Sequence, residues 1–404
     1  MKKQIYYIMV VLGVVLMLFT ACEYDGPDAV WDPNVAGEPS PLITGLDPAE
    51  TAGPGVLEIV INGQNFAGPD QVAVYFDDVL ADVKSSSPTQ IVVYRPNLIQ
   101  EDITIRVANQ LSLEIAEFTP YTLTEVYEAV GEFESNTMLY ALAVDLNENL
   151  YLMSRRLVYQ ISPDGVTSEY SATGFTNCTD MKTGPGGVLY FARNDEPMYR
   201  LAPGAAEDEQ FIEMPNRVSA IDFTADGHLI AGGRESGLYM IDVDALTFGT
   251  FDLDFYGDYE IVSLRVYDGY VYVAATYRGS DDSAVEAGIW RNAIEGGSIS
   301  ESQELLIDWM TLDEYAEEDM NSITFDADGT LYIATSADTD PVILRYADGT
   351  MGTFYGGGIV PGPVDDIVWG NDGYLYFYRS GSDEFGRVLR LGMVVEGAPY
   401  FGRQ

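Results

Sequence analysis

Acid–base and nucleophilic chemistry have little to draw on in this 404-residue sequence. It contains two cysteines, Cys22 and Cys178, and one histidine, His228. A Ser–His or Cys–His pair would have to use His228. That residue follows Asp226-Gly227 at the start of a strand-like segment, a turn setting that suits a structural role. No histidine lies near Cys178 in sequence, and a half-buried structural thiol is expected there. A histidine-rich metal site is excluded. Oxygen ligands, in contrast, are abundant: 64 acidic residues against 20 basic ones give a formal charge of −44, and lysine occurs only at 2, 3, 84 and 182. Such a chain lacks the basic footprint of nucleic-acid binding. The acidity fits a solvated surface of the kind favoured in saline surroundings, or a patch that collects Ca²⁺ or a cationic ligand.

Two segments set aromatic side chains beside acids. YRGSDDSAVEAG, residues 277–288, carries Tyr277, Asp281 and Asp282; WMTLDEYAEEDM, residues 309–320, carries Trp309, Asp313 and Tyr315. Rings of this type stack on sugars or anchor a partner at low entropic cost, while carboxylates bond hydroxyls or hold a cation. These six residues are the candidate ligand-binding set.

The elements that must position them are strands. Gly is frequent, Tyr and Phe number 28 and 17, and long helical periodicities are absent. From residue 124 onward a unit recurs, marked by a pair at Leu150-Tyr151, Leu189-Tyr190, Leu229-Ile230, Val271-Tyr272, Leu331-Tyr332 and Leu375-Tyr376. An alternating strand precedes each pair, often through an ADG or NDG turn. A third strand follows, as in MYRL, IWRN, ILRY and VLRL. One four-stranded sheet of this length cannot bury both faces, whereas radial stacking of six does. The predicted fold is therefore an all-β six-bladed propeller over 124–404, with 125–134 supplying the outer strand of the last blade. Both aromatic segments belong to the long fourth repeat and fall on the long-loop face.

The repeat resembles NHL and gluconolactonase-like propellers. That resemblance implies Ca²⁺ held by Glu, Asn and Asp at the channel mouth, and aligning the first strands puts Tyr140, Thr179, Ser219, Val262, Asn321 and Asp365 there. Only Asn321 and Asp365 match the pattern, as candidate metal ligands. Two oxygens are few for an ion that takes six to eight.

Upstream, residues 41–123 alternate in short strands with turns at Gly63–Phe66 and near Asp77-Asp78, which predicts a small β-sandwich. Ile43–Pro48, Gly63–Phe66, Val74–Asp78, Ile91–Val93 with Pro96, and Phe118 with Tyr121 resemble the IPT/TIG family of Ig-like domains, which implies a spacer or adhesive module. Residues 1–21 have the charged start, apolar run and small-residue break of an export signal. Leu18 to Cys22 resembles the bacterial lipobox, with Phe19 where Leu is usual, so Cys22 is the expected lipidation site. Residues 22–40, rich in Asp, Glu, Pro and Gly, are an expected tether. Glu23 and Asp25 resemble the surface-export signal of Bacteroidetes lipoproteins. The expectation is an outer-membrane lipoprotein, on the cell surface rather than the periplasmic side. Its expected work is non-enzymatic: binding a glycan or envelope protein on the long-loop face. The alternative is a Ca²⁺-dependent lactonase-like hydrolase or lyase at the channel mouth, decided by whether four or more side-chain oxygens converge there.

Overall fold

The computed structural model describes residues 37–110, 112–134, 137–312, 314–380 and 387–403. Cys22, the export signal and most of the tether lie outside the described residues, as does Asp313. Among the described residues no helix is long and apolar enough to cross a membrane.

The N-terminal domain is a sandwich of two sheets. One sheet orders Leu42–Asp47, Glu58–Gln64, Gln90–Tyr94 and Val83–Ser87; the other orders Thr51–Ala52, Ala116–Leu123, Gln100–Asn109, Val72–Phe76 and Val79–Ala81. Alternation explains the core. Ile59, Ile61, Ile91 and Val93 point inward from the first sheet and meet Val74, Phe76, Ile103, Ile105 and Tyr121 from the second. Fully burying an aliphatic side chain of this size is worth about 1.5–3 kcal/mol.

Six four-stranded blades follow. Blade one is Leu142–Val144, Leu150–Ser154, Leu157–Ile161 and Thr167–Ala172. Blade two begins with Asp180–Thr183, Leu189–Ala192 and Asp195–Leu201. Its outer edge is the first half of Glu209–Phe223, whose second half is the inner strand of blade three. Leu229–Arg234, Leu238–Asp242 and Thr247–Phe251 complete blade three. Blade four is Tyr259–Tyr267, Tyr270–Tyr277, Ala287–Glu295 and Ser298–Asp308, and blade five is Met320–Phe325, Leu331–Thr335, Ile343–Ala347 and Thr350–Thr353. Blade six takes Asp366–Trp369, Tyr374–Tyr378 and Val388–Gly392 from the C-terminal end. Its fourth strand is Tyr127–Ala129, with Tyr127 opposite Leu391 and Ala129 opposite Leu389. The ring thus closes with the N-terminal strand, as the sequence predicts. Each inner strand packs on the next, and the sixth packs on the first. The Asp-Gly turns at Gly227, Gly329 and Gly373 take φ of +87°, +90° and +74°, which glycine adopts without a Cβ clash.

The C-terminal tail closes the short-turn end of the channel. Ala327 N donates to Glu396 O (2.8 Å), and Ala398 N to Phe325 O (3.0 Å). The tail then turns inward and seats Tyr400 between two guanidinium groups, Arg265 at 3.7 Å and Arg403 at 4.4 Å from the ring centre. Arg265 also donates to Ala398 O and Pro399 O, while Arg403 donates to Trp369 O. Burial lowers the Arg403 pKa to about 10.

Candidate functional site

The channel mouth differs from its predicted arrangement. Pairing slips by one residue between Val218 and Ala220, Ile261 and Ser263, and Met320 and Ser322. Such a bulge shifts which side chains face a given side. The channel is lined by Asp180, Ser263, Ser322 and Asp366, then by Lys182, Asp222, Arg265 and Thr324; the bulges account for Ser263 and Ser322, while Asp180 and Asp366 lie in strands that pair without a slip. Asn321 and Asp365 sit at the rim of the remaining void but bond sideways. Asn321 Nδ2 donates to Val364 O (2.9 Å), and Asp365 accepts from Ser380 Oγ (3.1 Å). Burial raises the Asp365 carboxyl.

The channel's polar groups join neighbouring blades. Asp180 accepts from Ile221 N (2.8 Å), Asp222 from Val266 N (2.7 Å), Ser263 from Ile323 N (3.1 Å), and Asp366 from Leu142 N (3.0 Å) and Ser322 Oγ (2.7 Å). Cys178 accepts from the Ala141 backbone between blades one and two, and burial raises its thiol, which suits a structural residue. Internal cations match the acids: Lys182 pairs with Asp180, and Arg265 with Asp222 at 2.9 Å. Burial alone would lower the Lys182 ammonium, but Asp180 and Asp366 outweigh it and raise it. The upper void holds about 20 Å³, room for roughly one water. Among the described residues no group of three His, Cys, Asp or Glu is placed to hold a metal ion. Asn321 and Asp365, the candidate metal ligands, thus bond to neighbouring segments through Asn321 Nδ2 and one Asp365 oxygen, and a lysine stands among the channel carboxylates.

The six-residue aromatic and acidic set divides. Trp309, expected to be exposed, is 2% exposed; it packs with Ile289, Ile307 and Phe325 and donates from Nε1 to Glu318 O (2.8 Å). Tyr277 packs edge-on against Tyr259, and its hydroxyl accepts from Asp281 N (2.9 Å). Asp281 accepts from Ser283, which holds the loop's turn, and Asp282 is exposed. Tyr315 alone of the described members reaches a large cavity.

That cavity, about 700 Å³, lies between the sandwich and blade five. The sandwich contributes Tyr94, Lys84 and Leu80, and the propeller contributes Tyr315, Arg345 and Tyr355. Tyr94 is 47% exposed. Lys84 lies 5.9 Å from the Tyr94 ring centre and pairs with Glu58 at 2.5 Å. The walls are fixed to each other. Gly55 N donates to the Tyr355 hydroxyl (2.6 Å), and Asn97 Nδ2 donates to Gly357 O (3.0 Å) and Gly358 O (3.2 Å). Arg95 donates to Ala52 O, Gly53 O and Thr124 O, joining the first turn of the sandwich to its exit. Burial, partly offset by Arg95, pushes the Tyr355 hydroxyl up to about 12. Clefts of this volume at domain junctions, mixing aromatic and a few polar groups, are the usual form of small-ligand sites. Sequence reading missed it because its walls come from residues more than 200 positions apart.

This is a two-domain all-β protein: a sandwich fastened to a six-bladed propeller. Residues 41–124 match the IPT/TIG domain model, so the first domain is of that family, as its motifs suggested. Over 90% of this chain and 99% of the other, the protein is similar to an auxiliary nutrient binding protein of Bacteroides thetaiotaomicron, at 12% identity and TM-score 0.50. A corresponding auxiliary nutrient binding protein of Bacteroides ovatus is similar over 90% and 99%, at 12% identity and TM-score 0.48. A solved gluconolactonase-like propeller is similar over 68% of this chain and 94% of its own, at 13% identity and TM-score 0.48. At these identities the likeness is one of fold. No curated protein matches the chain.

Proposed function

We propose that this protein is a binding protein of the cell envelope, lipid-anchored at Cys22, that holds a saccharide between its IPT/TIG domain and blade five. The observation that carries the proposal is the cleft of about 700 Å³, with Tyr94 and Tyr315 presented on walls already bonded together. Fixed walls reduce the ordering cost of binding, and aromatic faces take sugar rings without demanding charge. The fold shared with auxiliary nutrient binding proteins agrees with this reading. The export signal and lipobox-like segment favour display at the outer membrane, on the cell surface.

Titration calorimetry of the protein without its first 22 residues, against a panel of oligosaccharides, tests the proposal. Tyr94→Ala and Tyr315→Ala should each weaken the tightest binder by about tenfold or more while the protein stays folded. Full affinity in both variants would place the site elsewhere. The Tyr277–Asp282 loop would then be the next surface to test.

A further inference from the structure

The propeller's own repeats contain a comparison that bears on the cleft. In blades two, four and six the third strand presents an arginine to the fourth strand, and a glutamate stands directly opposite. Arg200 is registered with Glu209, Arg291 with Glu304, and Arg390 with Glu128. Each forms an ion pair, with Nε to carboxylate distances of 2.6, 2.8 and 2.5 Å. Blade five keeps the arginine, Arg345, but the residue opposite is Gly352. Arg345 and Gly352 both line the cleft, and Arg345 makes no hydrogen bond or ion pair with any described residue.

Steric need does not explain the glycine. A Cβ at Gly352 would meet nothing within 4 Å, and its φ lies outside the left-handed region. A glutamate would fit and would neutralise Arg345 as in the three other blades. In a chain with 64 acids and 20 bases, a half-buried guanidinium with no ion-pair partner among the described residues, facing a cavity of this size, stands out. The cleft's other cations are engaged: Lys84 with Glu58, and Arg95 with three backbone carbonyls. A guanidinium presents a planar fork of N–H donors that matches a carboxylate or sulfate in two parallel bonds.

We infer that the cleft selects an acidic saccharide, and that Arg345, left free by Gly352, receives the sugar's carboxylate or sulfate. The inference rests on the saccharide reading above and adds the charge of the ligand. Tyr94 and Tyr315 flank the sugar rings, and Arg345 takes the anion. The global charge of −44 repels an anionic ligand at long range, so this local cation decides which sugars stay bound.

The test compares three probes by calorimetry: hexagalacturonate, the same oligomer with its carboxyls methyl-esterified, and a sulfated chondroitin hexasaccharide. At least one acidic probe should bind about tenfold or more tightly than the ester, the scale of one charge-assisted bidentate contact. Which acid binds better identifies the anion as carboxylate or sulfate. Gly352→Glu should abolish the preference by supplying the missing carboxylate, and Arg345→Gln should abolish it by removing the cation. Both variants should melt within a few degrees of the native protein. Equal binding of ester and acids, or a preference that survives both substitutions, overturns the charge assignment and leaves the saccharide reading standing if Tyr315→Ala still weakens binding. Absence of binding by every probe and by the wider panel overturns both.

Discussion

Replacing Lys182 with Met tests whether the channel is held by its internal ion pairs. The Lys182 side chain is 13% exposed, and its ammonium is paired with Asp180 and in the field of Asp366. Methionine keeps much of the volume and removes the charge, which strands the carboxylates. Leaving a buried charge without its partner costs about 3–5 kcal/mol. The propeller's roughly 280 residues, at about 2.1 cal/mol/K each, have an unfolding entropy of about 0.6 kcal/mol/K, so the melting temperature should fall by about 5–9 °C at pH 7.5. A pH dependence separates this cause from a packing defect. Burial, opposed by Lys182, pushes Asp366 up to about 6. A raised carboxyl binds its proton more tightly folded than unfolded. Its contribution is complete below about pH 4 and is lost as pH rises through about 6. Without Lys182 the carboxyl rises further, and the loss grows with pH. The deficit should therefore shrink at pH 5, and Lys182→Met with Asp366→Asn should recover at least half of it at pH 7.5. Thermal melts followed by near-ultraviolet circular dichroism read all three values. A deficit under 2 °C, or one identical at both pH values, refutes the argument.

The remaining predictions concern charge and anchoring. With a formal charge of −44, acid–acid repulsion should weaken as the Debye length falls from about 10 Å at 0.1 M salt to about 3 Å at 1 M, so the melting temperature should rise with NaCl; a flat or falling curve shows acids already paired or well separated. Cys22→Ser should release the protein from the membrane fraction into the soluble one, and unchanged fractionation would count against lipid anchoring.

The fold was legible because its periodicities are local. Leu-Tyr pairs such as Leu150-Tyr151 and Leu331-Tyr332 open second strands that are buried along their whole length, and the Asp-Gly turns announce themselves by residue type. The closing strand at Tyr127–Ala129 was legible by elimination, since blade six lacked a fourth strand. The site was less legible for three physical reasons. Bulges at Ser219, Val262 and Asn321 displaced the channel-facing register of blades three, four and five by one residue, which no alternation pattern reveals. Trp309 looked like a loop aromatic, yet the turn that follows folds back and its Glu318 O accepts from the indole Nε1. The cleft depends on how two domains meet, so Tyr94 and Tyr315 carry no mutual signal in sequence. One clue was present but unread: glutamates opposite the arginines of blades two, four and six, and a glycine opposite Arg345.

The strand that closes the ring also sets how the molecule bears tension. A pull applied near residue 41 travels through the sandwich to Leu123 and arrives at Tyr127–Ala129, the three-residue seam of blade six. Taken alone, that seam would be the weakest link, and peeling it would open the ring. The bonds from Gly55 to Tyr355 and from Asn97 to Gly357 and Gly358 divert part of the force into blade five, while Arg95 clamps the sandwich exit at Thr124. The same contacts that shape the cleft thus act as a strain relief for the seam. A ligand wedged between the two walls would stiffen the route by which the propeller is held.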